Sequence, residues 1–281
     1  IRGYALTEIR KVTVIGSGTM GSGIAAQVAN ADIPVTLIDL PSKDGDRNEI
    51  SFNAKERILN SRPPLLIDKK KAELISIGNI EDNFDCVSDS DWIVEAVVER
   101  LDIKKNLYEK IAKVRKPDSI ISSNTSTIPL KVLSEDMPED IKKDFCITHF
   151  FNPVRYMRLL EIVQESSNDQ KKISLLKSFC DENLGKGVIV CKDTPGFLGN
   201  RVGVYAMQVA MTEAFRFGLT VEEADAVFGR PMGIPKTGVF ALYDLIGLDL
   251  MSDVLKSFRK ELRSGDALYE LSEENKFLTQ L

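Results

Sequence analysis

Residues 11–40 read KVTVIGSGTMGSGIAAQVANADIPVTLIDL. The β-branched run Val12–Ile15 precedes a glycine-rich turn, a helix-like stretch follows the turn, and a second apolar run spans residues 35–38. Short apolar runs that alternate with a helical pattern are typical of a βαβ unit, in which two parallel strands flank a crossover helix. The stretch therefore predicts the first part of a parallel α/β sheet.

The glycines of this unit have the spacing of a phosphate-binding turn, G-x-G-x-x-G. The first glycine permits a tight turn, the second lets the backbone approach a pyrophosphate, and the third lets helix and strand pack closely. The helix that follows offers unpaired amides and the positive end of its dipole to the phosphates. The predicted phosphate-binding residues are Gly16, Gly18, Thr19, Met20 and Gly21.

Asp39 ends the second strand of the unit, where it can accept hydrogen bonds from the ribose hydroxyls of an adenosine. Its negative charge should repel a 2′-phosphate, so the predicted cofactor is NAD rather than NADP. The alternative is a glycine turn that only packs a helix against a strand and binds no ligand.

Apolar runs and helical patterns continue to alternate after this unit, which predicts a parallel or mostly parallel α/β sheet. Residues 46–77 look like an excursion of two polar helices, broken at Arg62-Pro63-Pro64. The further predicted strands lie in DWIVEAVVE, DSIISSNTS, FCITHFF, RLLEIV and GVIVC.

The character of the sequence changes at Asp193. Thr194 before Pro195 predicts a helix start, and the apolar helix pattern that follows stops at Gly218. From there to the end, the sequence suggests helices and turns without a convincing strand. We therefore predict two domains, an α/β domain over residues 1–192 and a helical domain over residues 193–281.

Composition excludes several classes of protein. With 37 basic and 42 acidic residues among 281, the net charge is −5, which argues against a nucleic-acid-binding surface. No apolar run approaches the roughly 20 residues that cross a bilayer. A single histidine and four cysteines without a C-x-x-C pair argue against a metal site. We expect free thiols in a reducing compartment, such as a bacterial-type cytoplasm, rather than a thiol nucleophile.

The one histidine, His149, ends the predicted strand FCITHFF. Ligands of open α/β sheets bind beyond the carboxyl ends of the strands, so the imidazole is placed where a ligand would lie. Glu161 lies in the next apolar run, LLEIV, where a carboxylate is costly to bury without a partner. A chain reversal at Asn152-Pro153 would bring the two side chains together, and Glu161 would then fix the imidazole tautomer.

A lone histidine is by itself more often a satisfied core or surface residue than a catalytic one. Here it accompanies a dinucleotide-binding turn, a buried glutamate and a polar strand end, SSNTS. That combination predicts hydride transfer to or from a carbinol carbon, with His149 as the general base.

Seven motifs follow one another along most of the chain. They are GSGTMGSGIA, VEAVVERLDIK, SNTST, HFFNP, LLEIV, CKDTPGFLGNR and GRPMG followed by FALYDLIGLD. In these motifs and their order, the chain resembles the L-3-hydroxyacyl-CoA dehydrogenases of fatty-acid β-oxidation, including the dehydrogenase part of the multifunctional enzymes. The resemblance implies a Rossmann-type, doubly wound sheet followed by a smaller all-α domain, and a homodimer or a larger multifunctional chain.

The resemblance also implies a role for each matched residue. His149 would take the proton of the 3-hydroxyl of an acyl-CoA substrate, and Glu161 would orient the imidazole. Ser126 and Asn200 would contact the substrate oxygen atoms. The implied cofactor contacts are the pair Glu99 and Lys104 of VERLDIK, together with Asn152 of HFFNP. The implied reaction needs no metal.

Each of these roles has a purely structural alternative. Ser126 could cap the turn into TIPLKVL. Asn200 could have a structural role, although asparagine is mildly unfavourable inside a helix. Glu99 and Lys104 could belong to a solvated helix surface.

Three features depart from the family's pattern. Arg155 and Arg158 stand where many members have Pro and Lys, and they could contact a CoA phosphate or only solvent. Extra residues separate PMG from FALYD, as in the long multifunctional branch. The chain stops at ENKFLTQL, whereas family domains continue into a Gly/Lys-rich segment, so we expect a shortened terminal domain.

Two other functions compete with this dehydrogenase. A shortened or repurposed domain would bind NAD without turnover. A different pocket would direct the same hydride chemistry to a free or carbohydrate 3-hydroxy acid.

Overall fold

The computed structural model describes residues 6–233 and 237–273. The chain divides into two compact units, Ile1–Asp193 and Thr194–Leu281. Two features noted in the sequence lie outside the described residues: part of the longer spacing after PMG, at residues 234–236, and the terminal ENKFLTQL, at residues 274–281.

The first unit is built on one eight-stranded sheet. Its strands are β1 (Val12–Ile15), β2 (Val35–Asp39), β3 (Ile75–Asn79), β4 (Trp92–Glu95), β5 (Ile120–Ser123), β6 (Phe145–Phe150), β7 (Leu159–Val163) and β8 (Gly187–Cys191). Their order across the sheet is β3-β2-β1-β4-β5-β6-β7-β8. All neighbouring strands are parallel except β6 and β7, which are antiparallel.

This topology places the ends of several strands side by side. Strands β1 to β6 run in the same direction, so their last residues meet along one edge of the sheet, here called the carboxyl edge. Because β7 runs the other way, its first residues lie at that same edge. The edge is the usual ligand-binding side of an open α/β sheet.

Helices flank the sheet. They are α1 (Thr19–Asn30), α2 (Glu49–Asn60), α3 (Leu101–Val114), α4 (Leu130–Ser134), α5 (Glu139–Lys142) and α6 (Gln170–Ser178), with 3₁₀ turns at Lys69–Leu74 and Phe84–Asp89 and a π turn at Phe179–Asn183. All four residues of β1 and of β4 are buried, as expected for central strands covered on both faces. The predicted Rossmann-type α/β fold, followed by a helical part, is confirmed.

The predicted helical excursion at residues 46–77 is helical only in part. Helix α2 and the 3₁₀ turn account for it up to Leu74, but Ile75 already opens strand β3. Ile75 pairs with Val35 of β2 and is 1% exposed. The ladder positions that β2 offers, together with the burial of Ile75, therefore outweigh the helical tendency of the preceding segment.

The second unit is helical throughout its described residues. Its helices are α7 (Gly199–Arg216), α8 (Val221–Val227), α9 (Phe240–Ile246), α10 (Leu248–Glu261) and α11 (Ala267–Glu273), with a 3₁₀ turn at Arg230–Met232. The prediction that a helix starts at Thr194 is wrong. Gly196 and Phe197 have φ angles of 70° and 47°, so the backbone turns there and the helix begins only at Gly199.

Three further properties concern the described residues as a whole. Within residues 6–233 and 237–273, no helix is long and apolar enough to span a membrane. The same residues contain no group of three or more His, Cys, Asp and Glu side chains that could hold a metal ion. All four cysteines are free thiols, and burial raises the pKa of Cys146 to about 12.

Candidate active site

The turn between β1 and α1 has the geometry that its glycine spacing predicts. Gly16 has a φ of 101°, and a Cβ there would lie 2.4 Å from the carbonyl oxygen of Ala96. A Cβ at Gly21 would lie 1.7 Å from the carbonyl oxygen of Gly16. At Gly18, in contrast, a Cβ would meet nothing within 4 Å. Two glycines thus permit close packing, and the middle one borders open space.

The N-terminus of α1 faces that open space without a capping side chain. Its N-cap residue, Gly18, makes no side-chain hydrogen bond, and the first turn contains no acidic residue. Gly18 and Thr19 are exposed, and Met20 is half-buried. The first amides of a helix lack partners within the helix, so they and the helix dipole suit a phosphate group.

Asp39 lies at the carboxyl edge, at the end of β2. Its Oδ2 accepts the Ser17 amide at 2.5 Å and the Ser17 hydroxyl at 2.7 Å, and its Oδ1 accepts the Leu40 amide at 2.7 Å. A carboxylate has about four lone-pair sites, so Asp39 retains capacity for a ribose hydroxyl. With the open turn beside it, this residue fits the adenosine half of NAD.

A fully buried glutamate, Glu95, ends β4 at the same edge. One oxygen accepts the Lys104 ammonium at 2.7 Å and the Val97 amide at 2.8 Å, and the other accepts the hydroxyls of Tyr108 and Ser123, both at 2.6 Å. Burial, and next the charge of Glu95, raise the pKa of Tyr108 well above its usual value. These five residues are called the Glu95 cluster below.

The Lys104 ammonium also contacts Glu99, at 3.1 Å. Glu99 in turn accepts the Thr125 hydroxyl, the Thr127 hydroxyl at 2.9 Å, and the amides of Ser126 and Thr127 at 3.3 Å. Burial would raise the pKa of Glu99, but the charge of Lys104 and the threonine hydroxyls outweigh it and lower the pKa. Lys104 is 1% exposed, so it is not part of a solvated surface.

The loop that carries Ser126 is tied to the ends of two strands. The Asn124 amide donates to the carbonyl of Glu95 at 2.8 Å, and its side-chain oxygen accepts the Phe150 amide at 2.9 Å. Phe150 directly follows His149 in β6. The structure therefore brings the half-buried Ser126 to the part of the carboxyl edge where the histidine lies.

His149 and Glu161 occupy directly opposed positions of the antiparallel strands β6 and β7. The Nδ1 atom of His149 lies 2.7 Å from Oε2 of Glu161, and their side chains are 7% and 0% exposed. The other carboxylate oxygen lies 3.7 Å from the Cys191 sulfur. The Phe151 ring tilts against the imidazole, with 4.4 Å between ring centroids. Strand register and burial thus hold this His–Glu pair in one arrangement.

The remaining implied contacts lie in different places. Asn152 is exposed, in the segment 151–158 that joins β6 to β7. In that segment, Arg155 donates to the carbonyls of Pro64 and Leu66, so its guanidinium is engaged by the protein itself. Asn200 belongs to the second unit, as the half-buried second residue of α7. The ligand contacts of both asparagines stay predictions.

Glu95 is not among the residues predicted from the sequence, although its sequence context carries a signal. Glu95 interrupts the apolar run DWIVEAVV in the same way as Glu161 interrupts LLEIV. A carboxylate in such an apolar run needs partners, so Glu95 was identifiable from the sequence in the same way as Glu161. The other residues around these two carboxylates that were missed are Tyr108, Ser123 and Cys191.

Two profiles of one protein family match nearly the whole chain. The profile described as 3-hydroxyacyl-CoA dehydrogenase, NAD binding domain, matches residues 11–194. The profile described as 3-hydroxyacyl-CoA dehydrogenase, C-terminal domain, matches residues 196–277. Both profiles follow the order in which the two units occur in the chain.

Individual proteins agree with these profiles. The chain is 44% identical over 265 residues to the "Putative fatty acid oxidation complex trifunctional enzyme" of Rickettsia felis, covering 94% of this chain but 37% of that relative. It is also 44% identical to the "Probable 3-hydroxyacyl-CoA dehydrogenase" of Deinococcus radiodurans, covering 88% of this chain and 72% of the relative.

A solved structure shares the architecture. The (S)-3-hydroxybutyryl-CoA dehydrogenase PaaH1 of Ralstonia eutropha superimposes with a TM-score of 0.77 at 28% identity, covering 95% of this chain and 93% of that one. With both domains matched in order and relatives of 44% identity, the chain belongs to the 3-hydroxyacyl-CoA dehydrogenase family.

Proposed function

We propose that the protein catalyses the NAD-dependent oxidation of L-3-hydroxyacyl-CoA to 3-ketoacyl-CoA, a reaction of fatty-acid β-oxidation. The observation that carries the proposal is the buried His149–Glu161 pair, 2.7 Å apart. It lies at the same edge of the sheet as the open turn at Gly18 and the carboxylate of Asp39. A base and a dinucleotide-binding turn at one edge are the parts that such a reaction requires.

His149 acts as the general base. When Nδ1–H donates to Glu161, the lone pair of the neutral imidazole lies on Nε2. Nε2 accepts the proton of the substrate's 3-hydroxyl, and the carboxylate of Glu161 stabilises the imidazolium that forms. A bound NAD supplies the acceptor for the hydride that leaves C3. General-base catalysis of this kind contributes about 10²–10⁴-fold in rate.

Further residues of the first unit would hold the ligands. Gly16, Gly18, Thr19, Met20 and Gly21 would form the phosphate site, and Asp39 would bind the adenosine ribose. Asn152 and the pair Glu99 and Lys104 would contribute to the remainder of the cofactor site. Ser126 and Asn200 would contact the substrate oxygen atoms.

The assembly and compartment form a finer part of the proposal. The second unit exposes several apolar side chains on α7, including Val202, which is 56% exposed, and Tyr205, which is 40% exposed. Such a surface is suited to burial against a second copy of the chain or another part of a longer multifunctional enzyme. The four free thiols support a reducing compartment.

The test is the loss of NADH absorbance on addition of acetoacetyl-CoA, for wild type and His149→Gln in parallel. Glutamine keeps a polar side chain at this position but cannot take up the proton, so the turnover rate should fall about 10²–10⁴-fold. The affinity for NADH, measured by fluorescence titration, should change little, because the phosphate turn is intact.

The same experiment separates the competing functions. NADH binding without turnover in wild type would support a non-catalytic NAD-binding protein. Turnover with a free 3-keto acid, but not with its CoA ester, would support another 3-hydroxy acid as substrate. Equal turnover of wild type and His149→Gln would contradict the role of His149.

A further inference from the structure

The segment 151–158 joins the two strands that carry His149 and Glu161, and it includes Asn152. The segment is called the β6–β7 connection below. It packs against the helix that follows the phosphate turn: Val154 is 1% exposed, and a Cβ added at Gly23 of α1 would lie 2.8 Å from its side chain. The position of this connection is therefore linked to both the His–Glu pair and α1.

Lys186 holds the connection from inside. This residue lies between the π turn and β8, and it is 2% exposed. Its ammonium donates to the carbonyl of Val154 and, at 3.0 Å, to the carbonyl of Met157. It also lies 5.9 Å from the centre of the Phe150 ring. A buried ammonium that binds two carbonyls of one segment fixes that segment strongly, because hydrogen bonds to charged donors are stronger than neutral ones.

Other side chains hold the connection from outside. Arg155 donates to the carbonyls of Pro64 at 2.7 Å and Leu66 at 3.0 Å, and the Tyr156 hydroxyl donates to Pro64 at 2.9 Å. These bonds are largely exposed, so each contributes less than the buried ones of Lys186. Lys186 thus holds the connection more strongly than Arg155 and Tyr156 do.

We propose that Lys186 is a positioning residue of the cofactor site, which holds the β6–β7 connection and thereby places Asn152 for contact with the cofactor. The inference rests on the proposed function, since it takes Asn152 as a cofactor contact. In this role Lys186 is a buried structural lysine. It acts through the backbone of the residues that follow Asn152.

The chain provides a matched control in Lys172. This lysine is also buried, at 8% exposure, and its ammonium bonds to Asp144 at 2.6 Å. Asp144 directly precedes β6, so this ion pair lies at the opposite edge of the sheet from His149. Lys172→Met and Lys186→Met both remove a buried ammonium, but only the latter removes it from the β6–β7 connection.

The experiment is a fluorescence titration of the full chain with NADH, which needs no turnover. Lys186→Met should raise the dissociation constant for NADH about tenfold, the factor that corresponds to 1.4 kcal/mol. Lys172→Met should leave the dissociation constant for NADH within about twofold of wild type, even if its melting temperature falls as far as that of Lys186→Met. Lys186→Arg, which keeps the charge, should restore part of the affinity.

A dissociation constant within twofold of wild type in folded Lys186→Met would overturn the proposal. So would an equal loss of affinity in Lys172→Met. If Lys186→Met does not fold, Arg155→Met decides, since it removes the bonds of a half-buried side chain to the carbonyls of Pro64 and Leu66 and should weaken NADH binding about threefold. Wild-type affinity in Arg155→Met and in Lys186→Arg would then overturn it. Loss of turnover in wild type itself would contradict only the proposed function.

Discussion

Glu95 and Glu161 are two buried carboxylates in apolar strands of one sheet, and both are 0% exposed. Their partners differ. Glu95 accepts four hydrogen bonds, one of them from the Lys104 ammonium. The partners of Glu161 include the imidazole of His149 and the thiol of Cys191. A lysine is charged at neutral pH, whereas an imidazole can gain and lose a proton there.

This difference indicates a structural role for Glu95 and a role in the proposed reaction for Glu161. The Glu95 cluster joins β4, α3 and β5 through hydrogen bonds and the ion pair with Lys104, so its main contribution is to fix those elements. Glu161 faces His149, whose charge changes during the proposed reaction, so its main contribution is to stabilise the imidazolium that forms. The comparison predicts that loss of Glu95 impairs stability more, and loss of Glu161 impairs turnover more.

The largest effect is expected for Glu161→Gln. The glutamine amide can donate to Nδ1 of His149, which favours the wrong imidazole tautomer and removes the negative charge beside the imidazolium. The kcat for NADH oxidation with acetoacetyl-CoA should fall by at least about 10²-fold. The dissociation constant for NADH, titrated by fluorescence, is the control and should stay near the wild-type value. A kcat within fivefold of wild type would contradict the assigned role of Glu161.

Glu95→Gln should have the larger effect on stability. Breaking a buried ion pair and leaving the Lys104 ammonium without one of its carboxylates should lower the free energy of unfolding by about 3 kcal/mol. Urea denaturation followed by the fluorescence of Trp92 measures this. Trp92 is the only tryptophan and lies buried in β4, so it reports on the first unit.

Glu161→Gln is the matched control in the same denaturation experiment. Its imidazole partner can be neutral, so the expected loss is smaller, about 1 kcal/mol. A larger loss of stability in Glu161→Gln than in Glu95→Gln would contradict the structural role assigned to Glu95.

The sequence predicted most of the sheet because its central strands have strong local signals. Runs such as Val12–Ile15 are apolar throughout, and burial on both faces requires this. Strand β3 was missed, because it is an edge strand that directly follows a polar, helix-like segment. The start of α7 was placed too early, since Thr194-Pro195 is a good local helix start but the φ angles of Gly196 and Phe197 override it.

Site residues could be predicted where a residue that is costly to bury without a partner lies in an apolar run. His149 and Glu161 could be paired because one turn separates their strands and a buried carboxylate needs a partner. Lys186 could not be recognised, because its partners are backbone carbonyls of a distant segment, and carbonyls have no signature in the sequence. The hydrogen-bond donors of Glu95 could not be predicted either, since Lys104 and Tyr108 lie in α3 and Ser123 lies in β5.

The smallest effect concerns the pH dependence of stability and tests the Glu95 cluster through Tyr108. Burial and the charge of Glu95 raise the pKa of this phenol well above 10, the value it regains on unfolding. As the pH rises above 10, the unfolded chain releases this proton but the folded chain retains it, so the folded state loses stability. Tyr108→Phe removes that contribution.

The free energy of unfolding of wild type, relative to Tyr108→Phe, should therefore fall by about 1 kcal/mol at pH 11. Urea titrations of both proteins between pH 8 and 11, followed by Trp92 fluorescence, give the difference at each pH. In a Glu95→Gln background the same difference should be smaller, because the second cause of the shift is gone. If wild type and Tyr108→Phe lose stability in parallel, the Tyr108 hydroxyl does not lie beside a buried negative charge, and the contrast between Glu95 and Glu161 fails.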